Sequence, residues 1–161
     1  MSLISSLLAP SHVALDVDAS DKKALFERAA AMLEGVSGLT RAQVLDSLLA
    51  RERLGSTGLG QGIAIPHGRV KGLRSAVGAF LRVRMPIAFD APDERPVSMA
   101  FVLLVPERAT DAHLQILSEL AQMFSDRELR RQLAVAPEAA SAQRLITGWE
   151  ADTPGKLFPG T

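Results

Sequence analysis

There is no cysteine in the 161 residues, so disulfides, thiol nucleophiles and thiolate zinc sites are excluded. Tyrosine is also absent, and one tryptophan and six phenylalanines are the whole aromatic complement. That is too little for a platform on which bases or sugars stack. Neither sign of charge is in excess, with 18 Lys and Arg against 18 Asp and Glu. The basic footprint of a nucleic-acid or anionic-membrane binder is missing. No apolar run approaches a bilayer span, and Met1-Ser2-Leu3-Ile4-Ser5-Ser6-Leu7-Leu8 lacks the basic start of a secretory signal. The expectation is a cytoplasmic, soluble protein with no nucleic-acid partner and no membrane insertion. The three histidines form no H-x-x-H or H-E-x-x-H pattern, so a catalytic metal is not expected.

What is present is concentrated between Gly55 and Arg69. Four of the twelve glycines (Gly55, Gly58, Gly60 and Gly62) fall within eight residues, followed by Ile63-Ala64-Ile65 and then Pro66-His67-Gly68-Arg69. Glycine admits positive φ and lets backbone N–H groups approach a ligand, at a cost in folding entropy. Successive unobstructed amides form anion-binding concavities, and Ser56 and Thr57 add hydroxyl donors. Residues 63–65 read as a short buried strand, since Pro66 excludes a helix there. That places His67 at a strand end beside a flexible glycine. An imidazole titrating near neutrality next to such amides suits a phosphoryl-accepting histidine. The same residues also fit a plain glycine-rich connection with an incidental histidine.

Other glycine chemistries fail on spacing. Gly58-x-Gly60-x-Gly62 is not a dinucleotide fingerprint, and a helix precedes it where a strand is required. Gly55 to Gly60 is followed by Gln61 with no lysine, which excludes a Walker loop. A serine hydrolase needs a G-x-S-x-G elbow on a strand-to-helix turn, and Ser56 has neither.

Along the chain, Val13, Leu15 and Val17 alternate with His12, Ala14 and Asp16 as an edge strand, on which His12 is a surface residue. Ser20 is placed as the N-cap of a helix through Val36, ended by Gly35 and Gly38. Thr40 and Gln43 form a capping box for a second helix that ends in Arg51-Glu52-Arg53. Cations are favoured at a helix C-terminus, which by itself accounts for both arginines. A basic loop is expected over 69–74, then a strand over 76–84 that Met85-Pro86 breaks. A short edge strand (87–89) and a turn (90–96) follow. Residues 97–105 form a near-continuous apolar run, the mark of a central strand covered on both faces. A helix from Asp111 should turn Leu114, Leu117, Leu120, Ala121 and Phe124 inward and carries His113 in its first turn. Ser125 and Glu128 read as another capping box, and Pro137 opens a last helix holding Leu145, Ile146 and Trp149. The pattern predicts one α/β domain, a mixed parallel and antiparallel sheet flanked by helices on both faces. Sites in such folds gather at strand ends, which makes His67 and His113 candidate neighbours.

Taken together, Arg51-Glu52, Gly55-Ser56-Thr57-Gly58, Gly60, Gly62-Ile63-Ala64-Ile65-Pro66-His67 and Asp111-Ala112-His113-Leu114 resemble the mannitol/fructose-type IIA domain of the bacterial phosphotransferase system. The likeness covers residues 3–149. The freestanding chain and its segments 3–8 and 109–117 look most like the nitrogen-regulatory branch of that family. The resemblance implies a type-2 IIA domain over residues 1–150 and a flexible tail over 151–161. It implies that His67 accepts a phosphoryl group from an HPr-like phosphocarrier, that Arg51 neutralises the phosphoryl oxygens, and that His113 lines the same pocket. Ser56, Thr57, Gly58, Gly60 and Gly62 would form the phosphate loop, with no cofactor. Gln61 stands where many relatives carry Asn, and Gly68 varies among them. Two outcomes are implied: a regulator whose phosphorylation state switches its binding to targets such as sensor kinases or ion transporters, or a metabolic carrier that hands the phosphoryl group to a IIB domain for sugar uptake.

Overall fold

The apolar run Val97–Pro106 (β6) is the axis of the molecule, and its side chains explain the layers on either side. The computed structural model describes residues 3–108 and 111–150. In β6, Ala100, Val102 and Leu104 point to one face of the sheet, while Met99, Phe101, Leu103 and Val105 point to the other. Both sets are buried, so the alternation expected of a strand with one wet face is replaced by unbroken apolarity.

Five further strands surround it: Val13–Val17 (β1), Gly58–Gly60 (β2), Ile63–Ala64 (β3), His67–Val70 (β4) and Val77–Ile87 (β5). β5 lies antiparallel to β6 and parallel to the edge strand β1. On the other side of β6, β3 and then β4 run parallel to it, and β2 closes that edge as the antiparallel partner of β3. The mixed sheet is as expected.

Lys22–Leu33 (α1) and Arg41–Arg53 (α2) cover one face through Leu25, Phe26, Ala29, Leu33, Val44 and Leu48. Asp111–Phe124 (α3), Arg127–Val135 (α4) and Ala139–Thr147 (α5) cover the other, together with Ile4, Leu7 and Leu8. None of the described helices is long and apolar enough to cross a membrane.

Local details depart from the sequence reading where two signals compete. α1 is capped by Asp21, whose carboxylate accepts from the Ala24 amide at 2.8 Å, and not by Ser20. The expected box at Ser125 is displaced in the same way: the Ser125 hydroxyl donates to the Gln122 carbonyl, and Asp126 caps α4. Asp126 also accepts from the indole of Trp149, which lies just beyond α5. The Thr40–Gln43 box is present in full.

β5 is not broken at Met85-Pro86. It continues to Ile87 through an irregular register between Arg82 and Ile87. β1 pairs with β5 only as far as Val83, so proline's missing N–H leaves no ladder bond unmade. β4 occupies part of the expected basic loop. α3 is rotated from its expected face: Leu120, Met123 and Phe124 are buried, whereas Leu114 is 65% exposed and Ala121 faces outward. The burial of α3 therefore belongs to its C-terminal half, and its first turn stands at the sheet's edge. His12 closes a short 3-10 turn ahead of β1, with Nδ1 buried, so it is not a simple surface residue. The expected tail, 151–161, lies outside the described residues.

Candidate functional site

His67 opens β4. Between β3 and β4 the chain stays alongside β6, and Pro66, which has no N–H to give, accepts from the Leu103 amide at 2.9 Å. The imidazole is half-buried. Its Nδ1 is 2.8 Å from the Ile65 carbonyl. A carbonyl only accepts, so Nδ1 carries the proton and the lone pair is left on Nε2. Burial lowers the pKa of His67 below the free value of 6.5, and the Arg51 charge lowers it further, while the bond to Ile65 and the charge of Glu52 act in the opposite direction. The ring is neutral at pH 7.

Arg51 is brought there by helix packing. A Cβ on Gly68 would sit 2.1 Å from Ser47 Oγ and 3.0 Å from the Ser47 backbone, so only glycine lets α2 lie this close to β4. The Ser47 hydroxyl then donates to the Arg69 carbonyl at 2.8 Å. Arg51 follows Ser47 by one helical turn on the same face. Its guanidinium donates through Nη1 to the Gly55 carbonyl at 2.7 Å and has no ion pair among the described residues. Four N–H donors remain for an anion.

His113, in the first turn of α3, meets His67 edge to face, with ring centroids 6.1 Å apart at 78°. Its Nδ1 is buried with no hydrogen-bond partner. Burial, then the neighbouring His67, then Arg69 lower its pKa. Beside it a cavity of about 230 Å³ is bordered by Arg74, Ser75 and Arg108. Arg69 is thus part of the electrostatics of the site, although its place in the sequence was only that of a loop cation.

The glycine-rich stretch does not form one cradle. The Ser56 hydroxyl donates to the Phe89 carbonyl at 2.8 Å and accepts from the Gly58 amide at 3.1 Å. Thr57 donates both its amide and its hydroxyl to the Glu52 carboxylate. These donors are consumed by the fold.

Gly58 is a packing glycine, since a Cβ there would lie 2.8 Å from that of Ala91. Gly60, Gln61 and Gly62 have φ of +92°, +59° and +79°, and Gln61-Gly62 is the two-residue turn of the β2–β3 hairpin. Gly62 lies beside Ser98 at the start of β6, and His67 pairs opposite Leu103. From Ile63 to His67 is four residues, about 13 Å of strand. Gly60 and Gln61 border Phe124 and Ser125, at the opposite end of α3 from His113. The structure therefore brings together His67, His113 and Arg51, and sets Gly60 and Gly62 apart from them.

Glu52 stands in the Arg51-Glu52 motif, but sequence reasoning gave it no role. The residue is buried, 9% exposed, and its carboxylate is paired with Lys22 Nζ at 2.9 Å. A signal was available: an acid in the last turn of a helix opposes the macrodipole and needs partners elsewhere. Among the described residues, no group of three His, Asp or Glu side chains is arranged to hold a metal. Chemically, the constellation offers a neutral nucleophilic nitrogen, an uncommitted guanidinium face and a second imidazole, which together suit transfer of a compact anion.

The family "Phosphoenolpyruvate-dependent sugar phosphotransferase system, EIIA 2" matches residues 6–148. A nitrogen regulatory protein of Pseudomonas aeruginosa is 39% identical over 144 residues, covering 89% of this chain and 94% of that protein. The nitrogen regulatory protein of Escherichia coli K12 is 37% identical over 148 residues, with 91% of each chain covered. The crystal structure of nitrogen regulatory protein IIA-Ntr from Neisseria meningitidis superposes with a TM-score of 0.86 at 51% identity, over 90% of this chain and 99% of that one.

Proposed function

Starting from a chain that belongs to the EIIA 2 family of the phosphoenolpyruvate-dependent sugar phosphotransferase system, we propose that His67 is a phosphoryl acceptor whose charge state regulates the binding of other proteins. The donor is the phosphohistidine of an HPr-like carrier. In the transfer, the Nε2 lone pair of His67 forms a bond to phosphorus as the donor's P–N bond breaks, and that electron pair returns to the donor imidazole. The proton on Nδ1 stays in place, donated to the Ile65 carbonyl 2.8 Å away. Arg51 takes the equatorial oxygens, and His113 closes the far side of the pocket. Phosphoryl transfer asks a protein mainly for alignment and charge stabilisation, and these three side chains supply both.

The observation that carries this reading is the pinned Nδ1, which leaves Nε2 free beside a guanidinium with unused donors. The regulatory role draws support from relatives named nitrogen regulatory proteins that align along nine-tenths or more of their length. A phosphoryl group adds close to two negative charges, enough to recruit or repel a docked partner such as a sensor kinase or an ion transporter.

The test is incubation with phosphoenolpyruvate, enzyme I and an HPr-type carrier, followed by mapping of acid-labile phosphate. Label on His67, lost in His67→Ala, is the expected result, and full labelling of His67→Ala overturns it. Capture of targets by only one phosphorylation state supports regulation. Restored sugar phosphorylation in a system reconstituted with a IIB domain, with no state-dependent capture, would instead make the chain a metabolic carrier.

A further inference from the structure

A carboxylate buried at the C-terminal end of a helix is costly unless its partners compensate. Glu52 has four polar contacts, and three of them go to one residue: the Thr57 amide at 3.1 and 3.2 Å and the Thr57 hydroxyl at 2.6 Å. The fourth is Lys22 of α1 at 2.9 Å. Thr57 in turn accepts the Ile65 amide on its carbonyl at 3.0 Å, and the Ile65 carbonyl accepts Nδ1–H of His67 at 2.8 Å. On the far side, Pro66 is fixed to β6 by the Leu103 amide. The peptide that orients the imidazole is thus held from both directions, and one of them leads back to Glu52. A plain staple between α1 and α2 would need Lys22 alone.

We propose that Glu52 is a positioning residue for His67: through Thr57 and Ile65 it sets the ring's tautomer and angle, and its charge favours the positive charge that develops on the ring during transfer. The proposal rests on the phosphoryl-acceptor reading given above. The charged and titratable groups acting at the two imidazoles are Arg51 and Glu52 of α2, His113 of α3 and Arg69 of β4, with Lys22 of α1 one step further out, paired to Glu52. Only Glu52 among them is negative, and it acts to raise the His67 pKa.

The experiment pairs ring ¹⁵N spectroscopy of the unphosphorylated protein with single-turnover transfer from a phosphorylated carrier, for the wild type, Glu52→Gln, Thr57→Val and Thr57→Ser. In the wild type a single Nδ1–H tautomer is expected. Glu52→Gln should show mixed tautomers, a titration midpoint moved to lower pH, and a transfer rate down about tenfold with carrier affinity unchanged, the size of one charge-assisted hydrogen bond. Thr57→Val should shift the same observables in the same direction by less, and it serves if Glu52→Gln does not fold. Thr57→Ser, which keeps both donors, should resemble the wild type. A folded Glu52→Gln or Thr57→Val with the wild-type tautomer, midpoint and rate overturns the proposal. Failure of any carrier to label the wild type would sink the acceptor reading instead, while the spectra would still decide whether Glu52 orients the ring.

Discussion

Residues 58–62 and residues 65–69 are neighbours in the chain and belong to the same sheet, and both contain glycine, yet they do opposite things. In the first segment every glycine answers a demand of the fold: Gly58 makes room for Ala91, and Gly62 completes a turn with Gln61. Its neighbours Ser56 and Thr57 have spent their donors on Phe89 and Glu52. In the second, Gly68 also serves packing, but what that packing assembles is the candidate site: α2 is drawn against β4, and Arg51 arrives beside His67. Glycine clustering therefore marks demanding geometry. A site is marked by polar groups whose donors or lone pairs the fold has left unused.

Substitutions that separate the two segments sharpen this comparison. The largest change is expected from Gly68→Ala, whose added methyl has Ser47 in its path and should cost about 3 kcal/mol in urea unfolding, the upper part of the usual overpacking range. Ser47→Ala in the same chain removes the nearest clashing atom and should restore part of that loss. Next is Arg51→Ala, which should slow phosphoryl acceptance by about 10- to 100-fold, equivalent to roughly 1.5–3 kcal/mol, without abolishing it. A wild-type rate would mean that the guanidinium is only a clasp for Gly55.

The histidines add a pH signature. Both His67 and His113 titrate below the free value of 6.5 in the folded chain. The unfolded chain then binds protons more readily as pH falls, so the stability they contribute is present above pH 6.5 and lost below it, through the folded values. Denaturant midpoints measured between pH 8 and pH 5 should fall on acidification, by less in a His67→Gln, His113→Gln double variant. Transfer to His67 should stay level above pH 6.5 and decline only as the ring takes up a proton at lower pH. The smallest effect belongs to the hairpin. Gln61→Asn, at φ +59°, should stabilise by about 0.5–1 kcal/mol, a fraction of the roughly 1–2 kcal/mol the left-handed region costs most residues. Acceptance should not change, and a fall in rate would tie the hairpin to the chemistry after all.

Local signals were legible in the sequence and non-local ones were not. The central strand, the Thr40–Gln43 box and the histidine after Ile-Pro could be read because each depends on residues within a few positions of one another. The β2–β3 hairpin was hidden because three glycines and a glutamine carry no strand propensity, and pairing with β6 decides the outcome. Pro86 misled because its effect depends on whether the neighbouring strand needs its N–H. Leu114 misled because helical periodicity fixes which residues share a face, whereas the rotation of α3 is set by Phe80 and Phe101 meeting Phe124. Glu52 was legible only as an anomaly, since its partners come from α1 and the loop at once.

The arrangement of the site makes one commitment that can be checked atom by atom. Phosphorus–nitrogen coupling in the ¹⁵N-histidine-labelled phosphoprotein should place the phosphoryl group on Nε2 of His67, with the proton still on Nδ1. Phosphorus on Nδ1, or on any other residue, would contradict it.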